Sequence, residues 1–288
     1  MGISTGRSSD SGNEFKLYSG IDRFTVLGVN PDLTTLNSWG IMRKQEPQYF
    51  GKTEDGTPYA RITFVVKSST IPELVTEATF FVAKEPRYNK DKTKFKVIDQ
   101  FGNDAWATKD DVKNHRVLYS EKGARLKITQ DYRAAYRGEI ELTNFIKNLL
   151  NIADSHRYVN NVWELVDGAD KLTCRFDDPK KWFDGDISEI ANALTYQINN
   201  EIQLLAGVST NKKGYLNQEI FTGFTARAKD KQATKNFIKE VNSLKKNKVS
   251  YTFEPIAEWE VKTATPEEIE AAVKATSDND DDELPFDE

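Results

Sequence analysis

A two-residue hydrophobic period, repeated in short runs, is the strongest constraint on how this chain folds. Apolar and polar residues alternate over Arg23–Val29, Ala60–Lys67, Glu77–Lys84, Lys94–Ile98, Asp104–Thr108 and Ala124–Thr129. Successive side chains of a strand point to opposite faces, so such runs predict half-buried strands rather than helices. Turn residues punctuate them. Asp99-Gln100-Phe101-Gly102-Asn103 predicts a hairpin over Lys94–Thr108. Trp163–Val166 and Leu172–Phe176 repeat the pattern across Asp167–Asp170, and so do Glu201–Val208 and Tyr215–Thr225 across Asn211–Gly214.

Helical spacing is rarer. Glu139–Ile152 places Leu142, Phe145, Ile146, Leu149 and Leu150 on one face. Asp186-Ile187-Ser188-Glu189 has the form of a capping box before Ile190 and Leu194. Lys231–Leu244 is a third candidate, and Thr265-Pro266-Glu267-Glu268 opens a fourth with a cap, a first-turn proline and acids at the N-terminus. Many short strands with a helix set among them predict a mainly β (α+β) protein, an OB-fold-like barrel elaborated by hairpins and a few short helices. The expected organisation is a flexible arm over 1–20, a barrel core over 21–262 with insertions, and a C-terminal helix and acidic tail over 263–288.

Several chemistries find little to work with. One cysteine, Cys174, and two histidines, His115 and His156, are too few soft ligands for a structural zinc site, so Cys174 is expected to be a buried thiol. Gly51-Lys52-Thr53 lacks the glycine that a phosphate-binding loop needs five residues earlier, where Glu46 stands. Asp177, Asp178, Asp184 and Asp186 border Pro or Gly turns, where Asp serves the backbone. No cofactor, metal or catalytic residue is expected. No window has the apolar length of a bilayer span, and Met1–Gly12 is polar, which predicts a cytoplasmic protein that meets no membrane.

The net charge of −5 averages two unlike regions. From Ser277 onward there are seven acids and no Lys or Arg; the rest carries 40 basic residues against the 38 acids that remain of 45, a net +2. The tail reads Asp280-Asp281-Asp282-Glu283-Leu284-Pro285-Phe286 before Asp287 and Glu288. A charge run of this kind cannot compact alone. The apolar Leu284-Pro285-Phe286 within it suits a docking peptide, with Phe286 in a pocket and acids against surrounding cations.

This tip resembles the Asp-rich, Pro-Phe-ended tip of bacterial single-stranded DNA-binding proteins, and differs in placing Asp287 and Glu288 after Phe286. Gly6-Arg7-Ser8-Ser9, Ser11-Gly12-Asn13-Glu14, Val26–Pro31 and Glu85-Pro86-Arg87-Tyr88-Asn89-Lys90 are similar to single-stranded DNA-binding proteins of large tailed phages, including the crAss-like group. The resemblance implies a phage replication or recombination protein in the host cytoplasm, with replication or recombination partners on the tip. A homo-oligomer is left open.

A binder of single strands needs cations for phosphate and rings for unstacked bases. Lys84, Arg87, Lys90, Lys92, Lys94 and Lys96 lie among Tyr88, Phe95 and Trp106. Alternation puts Phe95 toward a core and leaves Tyr88 as the stacking candidate. Arg133, Tyr136 and Arg137 form a second cluster ahead of the Glu139 helix, where Tyr136 serves a groove edge or packs beneath the helix. The stretch 211–248 carries ten basic residues against Glu219, Asp230 and Glu240 and is a partner for the tail or for phosphate. The expected function is non-catalytic binding of single-stranded DNA, the tail competing with DNA for the basic groove. The alternative is a phage structural or assembly protein with an all-β interaction fold.

Overall fold

A computed structural model of the chain describes residues 16–99, 102–119, 125–127, 133–150, 156–159, 162–165, 179–195, 201–210, 215–228, 230–232, 249–252 and 254–259. In chain order its elements are β1 (Tyr18–Val29), α1 (Leu33–Ser38), β2 (Phe50–Lys52), β3 (Pro58–Ser68), β4 (Val75–Pro86), β5 (Phe95–Ile98), β6 (Asp104–Ala107), α2 (Lys109–Lys113), β7 (Val117–Tyr119), β8 (Arg125–Lys127), β9 (Arg133–Ala134), β10 (Tyr136–Arg137) and α3 (Glu139–Leu149). Then follow β11 (His156–Val159), β12 (Val162–Leu165), a 3-10 segment (Pro179–Asp184), α4 (Ser188–Leu194), β13 (Glu201–Thr210), β14 (Leu216–Arg227), β15 (Val249–Tyr251) and β16 (Ala257–Glu258).

The period-two runs Arg23–Val29, Ala60–Lys67 and Glu77–Lys84 become strands of one antiparallel sheet in the order β10-β4-β3-β1-β13-β14, with β2 on β3, β16 on β1 and β15 on β13. Along β3 and β4, Ala60, Ile62, Phe64 and Val66 pair with Val82, Phe80, Ala78 and Thr76. The apolar members of those pairs face one core, joined by Phe24 and Val26 of β1 and by Ile202, Leu204 and Ala206 of β13. β14 lies against β4, although three strands separate them in the sheet order. The sheet is therefore curled into a half-barrel. Its hollow is filled by α3, whose Leu142, Phe145, Ile146 and Leu149 are buried. The Phe145 ring sits 4.6 Å from Phe64 and 5.0 Å from Phe80. Each such buried side chain contributes roughly 1.5–3 kcal/mol.

One glycine fits this curl by necessity. Gly20 has φ +134°, and a Cβ there would lie 2.7 Å from both the Glu254 carbonyl oxygen and the Ile256 Cα. The close approach lets the Ile21 amide donate to Glu254 O at 2.9 Å and brings Ile256 alongside β1. Leu17 and Tyr18 are buried, so pairing begins within the stretch whose composition suggested an arm.

The outer face of the sheet is only partly covered. Over 62–66 β3 is buried on both sides, and at Val65 the cover is Leu36 of α1 and Ile41, which pack there together with Leu27, Trp39 and Val75. Polar anchors hold this cover in place. Asp32 Oδ1 accepts from the Thr35 amide at 2.7 Å and caps α1, while Tyr49 Oη donates to Pro31 O at 2.8 Å. Arg43 forms a buried ion pair with Glu77 of β4.

Beside the half-barrel, β6-β5-β9 make a small sheet whose Val97, Ala105 and Ala107 pack with Val112 of α2 and Leu118 of β7. The expected β5–β6 hairpin forms, its turn closed by the Asp99 amide donating to Asn103 O at 2.9 Å. β13 and β14 also pair as expected. β12 pairs with the preceding β11. Leu172–Phe176 lies outside the described residues.

The helix over Glu139–Leu149 stands where the spacing placed it. α4 begins at Ser188 without the expected capping box, because Asp186 Oδ1 accepts from the Ser188 amide at 3.0 Å and its hydroxyl at 2.6 Å in a local turn. That is the turn role expected of Asp186. Asp177, Asp178, Cys174, Lys231–Leu244 beyond Gln232, the helix at Thr265 and the whole tail lie outside the described residues. Among the described residues no helix is long and apolar enough to cross a membrane.

Candidate nucleic-acid interface

The two clusters that the sequence separates by some forty residues come together through strand pairing. β9 pairs with β5 through Val97–Ala134 and Ile98–Arg133, and β10 pairs with β4 through Tyr136–Pro86 and Arg137–Ala83. The Arg87 amide donates to Ala135 O at 3.1 Å and stitches them further. The result is one continuous surface from the end of β4, across β5 and β6, to the start of α3.

Its cations divide into two groups. Arg87 pairs with Glu141, Arg133 with Glu139, and Arg137 with Glu85 at 3.0 Å. Glu139 is fully buried and accepts from both Arg133, Nη1 at 2.8 Å, and the Tyr136 amide at 2.9 Å. Arg87 and Arg133 tie the end of β4 and β9 to the first turn of α3, and Arg137 ties β10 to β4. Lys96 is turned inward as well: it is 5% exposed, bonded to Asp104 Oδ2 at 2.5 Å and set 4.7 Å from the Trp106 ring. Strand parity alone could not show this, because the outer face of β5 is closed by the Trp106 side chain of its neighbour.

The second group faces water. Lys84, Lys90, Lys92 and Lys94 are exposed, and no ion pair holds them among the described residues. Lys84 Nζ lies 5.6 Å from the Phe183 ring, at the rim of the core. The other three belong to the hairpin joining β4 to β5, which local bonds fix. Asn89 Oδ1 accepts from the Lys94 amide at 2.8 Å, the Asn89 amide donates to Lys94 O at 3.0 Å, and Asp91 Oδ1 accepts from Thr93 Oγ1 at 2.6 Å. Those bonds from Thr93 hold the Asp91 carboxyl below its ordinary range. Lys92 takes φ +56° at the tip, which turns the hairpin back on itself.

Tyr88 is 46% exposed and meets Phe95 edge to face at 6.4 Å, while Phe95 packs on the small sheet's core. Alternation placed Phe95 toward a core, and its polar loop left Tyr88 outside. Tyr136 packs at the main core's rim, its ring 5.1 Å from Phe183, which answers the open choice at that residue in favour of packing. The arrangement offers three exposed ammonium groups and one accessible ring within a single hairpin.

A further feature escaped the sequence reading. On the uncovered part of the outer face, Tyr59 and Arg61 of β3 face the same way as Phe81 of β4, which pairs directly with Arg61. The Tyr59 and Phe81 rings are 4.9 Å apart with a 30° tilt, and the Arg61 guanidinium lies 5.5 Å from the Tyr59 centroid. The signal was present in Phe80-Phe81, since adjacent strand residues cannot both face one core.

No group of three or more His, Cys, Asp or Glu side chains is placed to hold a metal ion among the described residues. Compared with known proteins, the chain matches no protein-family model, no curated protein and no solved structure.

Proposed function

We propose that this chain is a non-catalytic single-stranded DNA-binding protein of phage replication or recombination, built on an elaborated OB-like barrel. The carrying observation is the β4–β5 hairpin, where Lys90, Lys92 and Lys94 are exposed and have no carboxylate partner among the described residues, beside exposed Tyr88. Ammonium groups on flexible stems neutralise phosphates of any sequence, and a ring accepts any base face. The charge partition supports the same reading, since the acidic total comes from the tail and the remainder is net +2. The acidic tip supplies a docking peptide for replication or recombination proteins and competes with DNA for the cations.

Titration of tryptophan fluorescence with oligo-dT at rising salt tests the reading. Binding that weakens steeply with salt is expected, because phosphate neutralisation releases counterions. Changing Lys90, Lys92 and Lys94 together to Gln should flatten the slope of log affinity against log salt by about 2, at roughly 0.7 per phosphate contact on a single strand. Absent or salt-insensitive binding overturns the proposal. Removing 277–288 should tighten binding, and unchanged affinity would exclude competition by the tail.

A further inference from the structure

We infer that the outer face of β3 and β4 carries a second subsite, a stacking platform of Tyr59 and Phe81 that takes an unpaired nucleobase. This rests on the single-strand reading above and names residues outside the basic hairpin. The outer face is divided: the segment carrying α1 covers Val65, Val75 and Glu77, Thr63 beside them is buried, and Arg61 and Tyr59 are left partly exposed. Burial of apolar surface is what the fold gains from an outward aromatic, and here that gain is incomplete, because both rings remain partly exposed.

The local geometry flattens the platform. Gly51 of β2 pairs with Tyr59, and a Cβ at that position would lie 2.8 Å from Tyr59 Oη and 2.9 Å from Cζ. The Tyr59 ring thus spreads over the bare backbone of β2 on one side and meets Phe81 on the other. The rings already touch each other, so a base stacks on their shared outer surface instead of sliding between them. The Tyr59 hydroxyl has no hydrogen-bond partner among the described residues and remains open to a base edge. Arg61, beside the ring, adds a cation that reaches a phosphate or caps the stacked base. Two rings and one guanidinium make too small an apolar area for a stable protein interface.

The end of β4 joins platform and hairpin. From Phe81 through Pro86, where β4 ends, to Tyr88 the chain spans at most about 23 Å at about 3.3 Å per residue. An oligonucleotide within the roughly 4 to 16 nucleotides covered by one small barrel can reach both. The lysines then hold backbone and the platform holds bases.

The experiment compares oligo-dT with an abasic oligonucleotide of the same length, which keeps the phosphates and lacks bases. The full chain is measured beside Tyr59→Leu, Phe81→Leu and the double variant; leucine keeps apolar bulk on the face and removes the ring. The wild type should prefer oligo-dT, and the double variant should lose roughly 5- to 150-fold of that preference, the loss expected for one stacked base. Its affinity for the abasic strand and its salt slope should be unchanged. An undiminished preference in the double variant overturns the platform. A drop in abasic affinity equal to the drop for oligo-dT also overturns it, because the rings would then be shaping the fold. If the wild-type chain binds neither strand, the functional reading itself fails, which is distinguishable because no variant then differs.

Discussion

At the residue scale, Arg43 and Glu77 form an ion pair away from water. Both are mostly buried, and burial pushes the Glu77 carboxyl above its ordinary 4.5 while Arg43 pulls it back down. Burial, with Glu77 nearby, also raises the Tyr49 phenol, which stays protonated and donates to Pro31 O. Removing one member of a buried pair leaves an uncompensated charge and costs about 3–5 kcal/mol. Arg43→Met is therefore expected to lose about 3 kcal/mol in urea unfolding at pH 8. Without Arg43 the carboxyl rises further, and a raised group stabilises below its unfolded value and loses that contribution as pH climbs through its folded value. The deficit of Arg43→Met should accordingly shrink as pH falls; a gap that stays constant with pH would exclude Glu77 as its source. Replacing both, with Met at 43 and Leu at 77, should restore or exceed wild-type stability.

Elements depend on their ends. α3 starts from Gly138 at φ +82°, and a Cβ there would come within 2.0 Å of the Phe81 carbonyl oxygen. Gly138→Ala combines left-handed strain with a backbone clash and should cost more than about 2 kcal/mol, read as a lowered urea midpoint. The helix α2 is short and relies on a reciprocal cap: Thr108 Oγ1 accepts from the Asp111 amide at 3.1 Å, and Asp111 Oδ2 accepts from the Thr108 amide at 2.9 Å. Thr108→Ala should remove about 1 kcal/mol. Hydrogen bonds from Thr108 hold the Asp111 carboxyl below 3.8, so this cap is intact above that value and is lost as pH falls through the lowered one. Hydrogen exchange of the amides in 109–113 should quicken in acid before that of β3.

Across the whole molecule, the sheet's curl decides which outward residues are left for function. Phe145 lies inside the curl against Phe64 and Phe80, so Phe145→Ala should cost about 3–5 kcal/mol and lower thermal stability without altering the exposed hairpin. Charge is organised on the same scale. The three arginines singled out as phosphate contacts are paired with Glu85, Glu139 and Glu141, and three exposed lysines, Lys90, Lys92 and Lys94, share one hairpin. On the proposed single-strand reading, the association rate of a polyanion should fall as salt rises.

The sequence alone determined the strand runs, the hairpins over Lys94–Thr108 and Glu201–Thr225, the helix at Glu139 and the contrast between tail and body. Periodicity and turn chemistry are local, so they are legible residue by residue. Tertiary structure alone decided which cations stay free, because Glu139 and Glu141 reach Arg133 and Arg87 only after β9 and β10 have paired with β5 and β4. It also decided that Tyr59 and Phe81 meet. They stand on neighbouring strands, and whether that face is covered depends on where the segment carrying α1 ends its contact with the sheet. Strand pairing and coverage join residues far apart in the chain, and no local pattern of side chains encodes them.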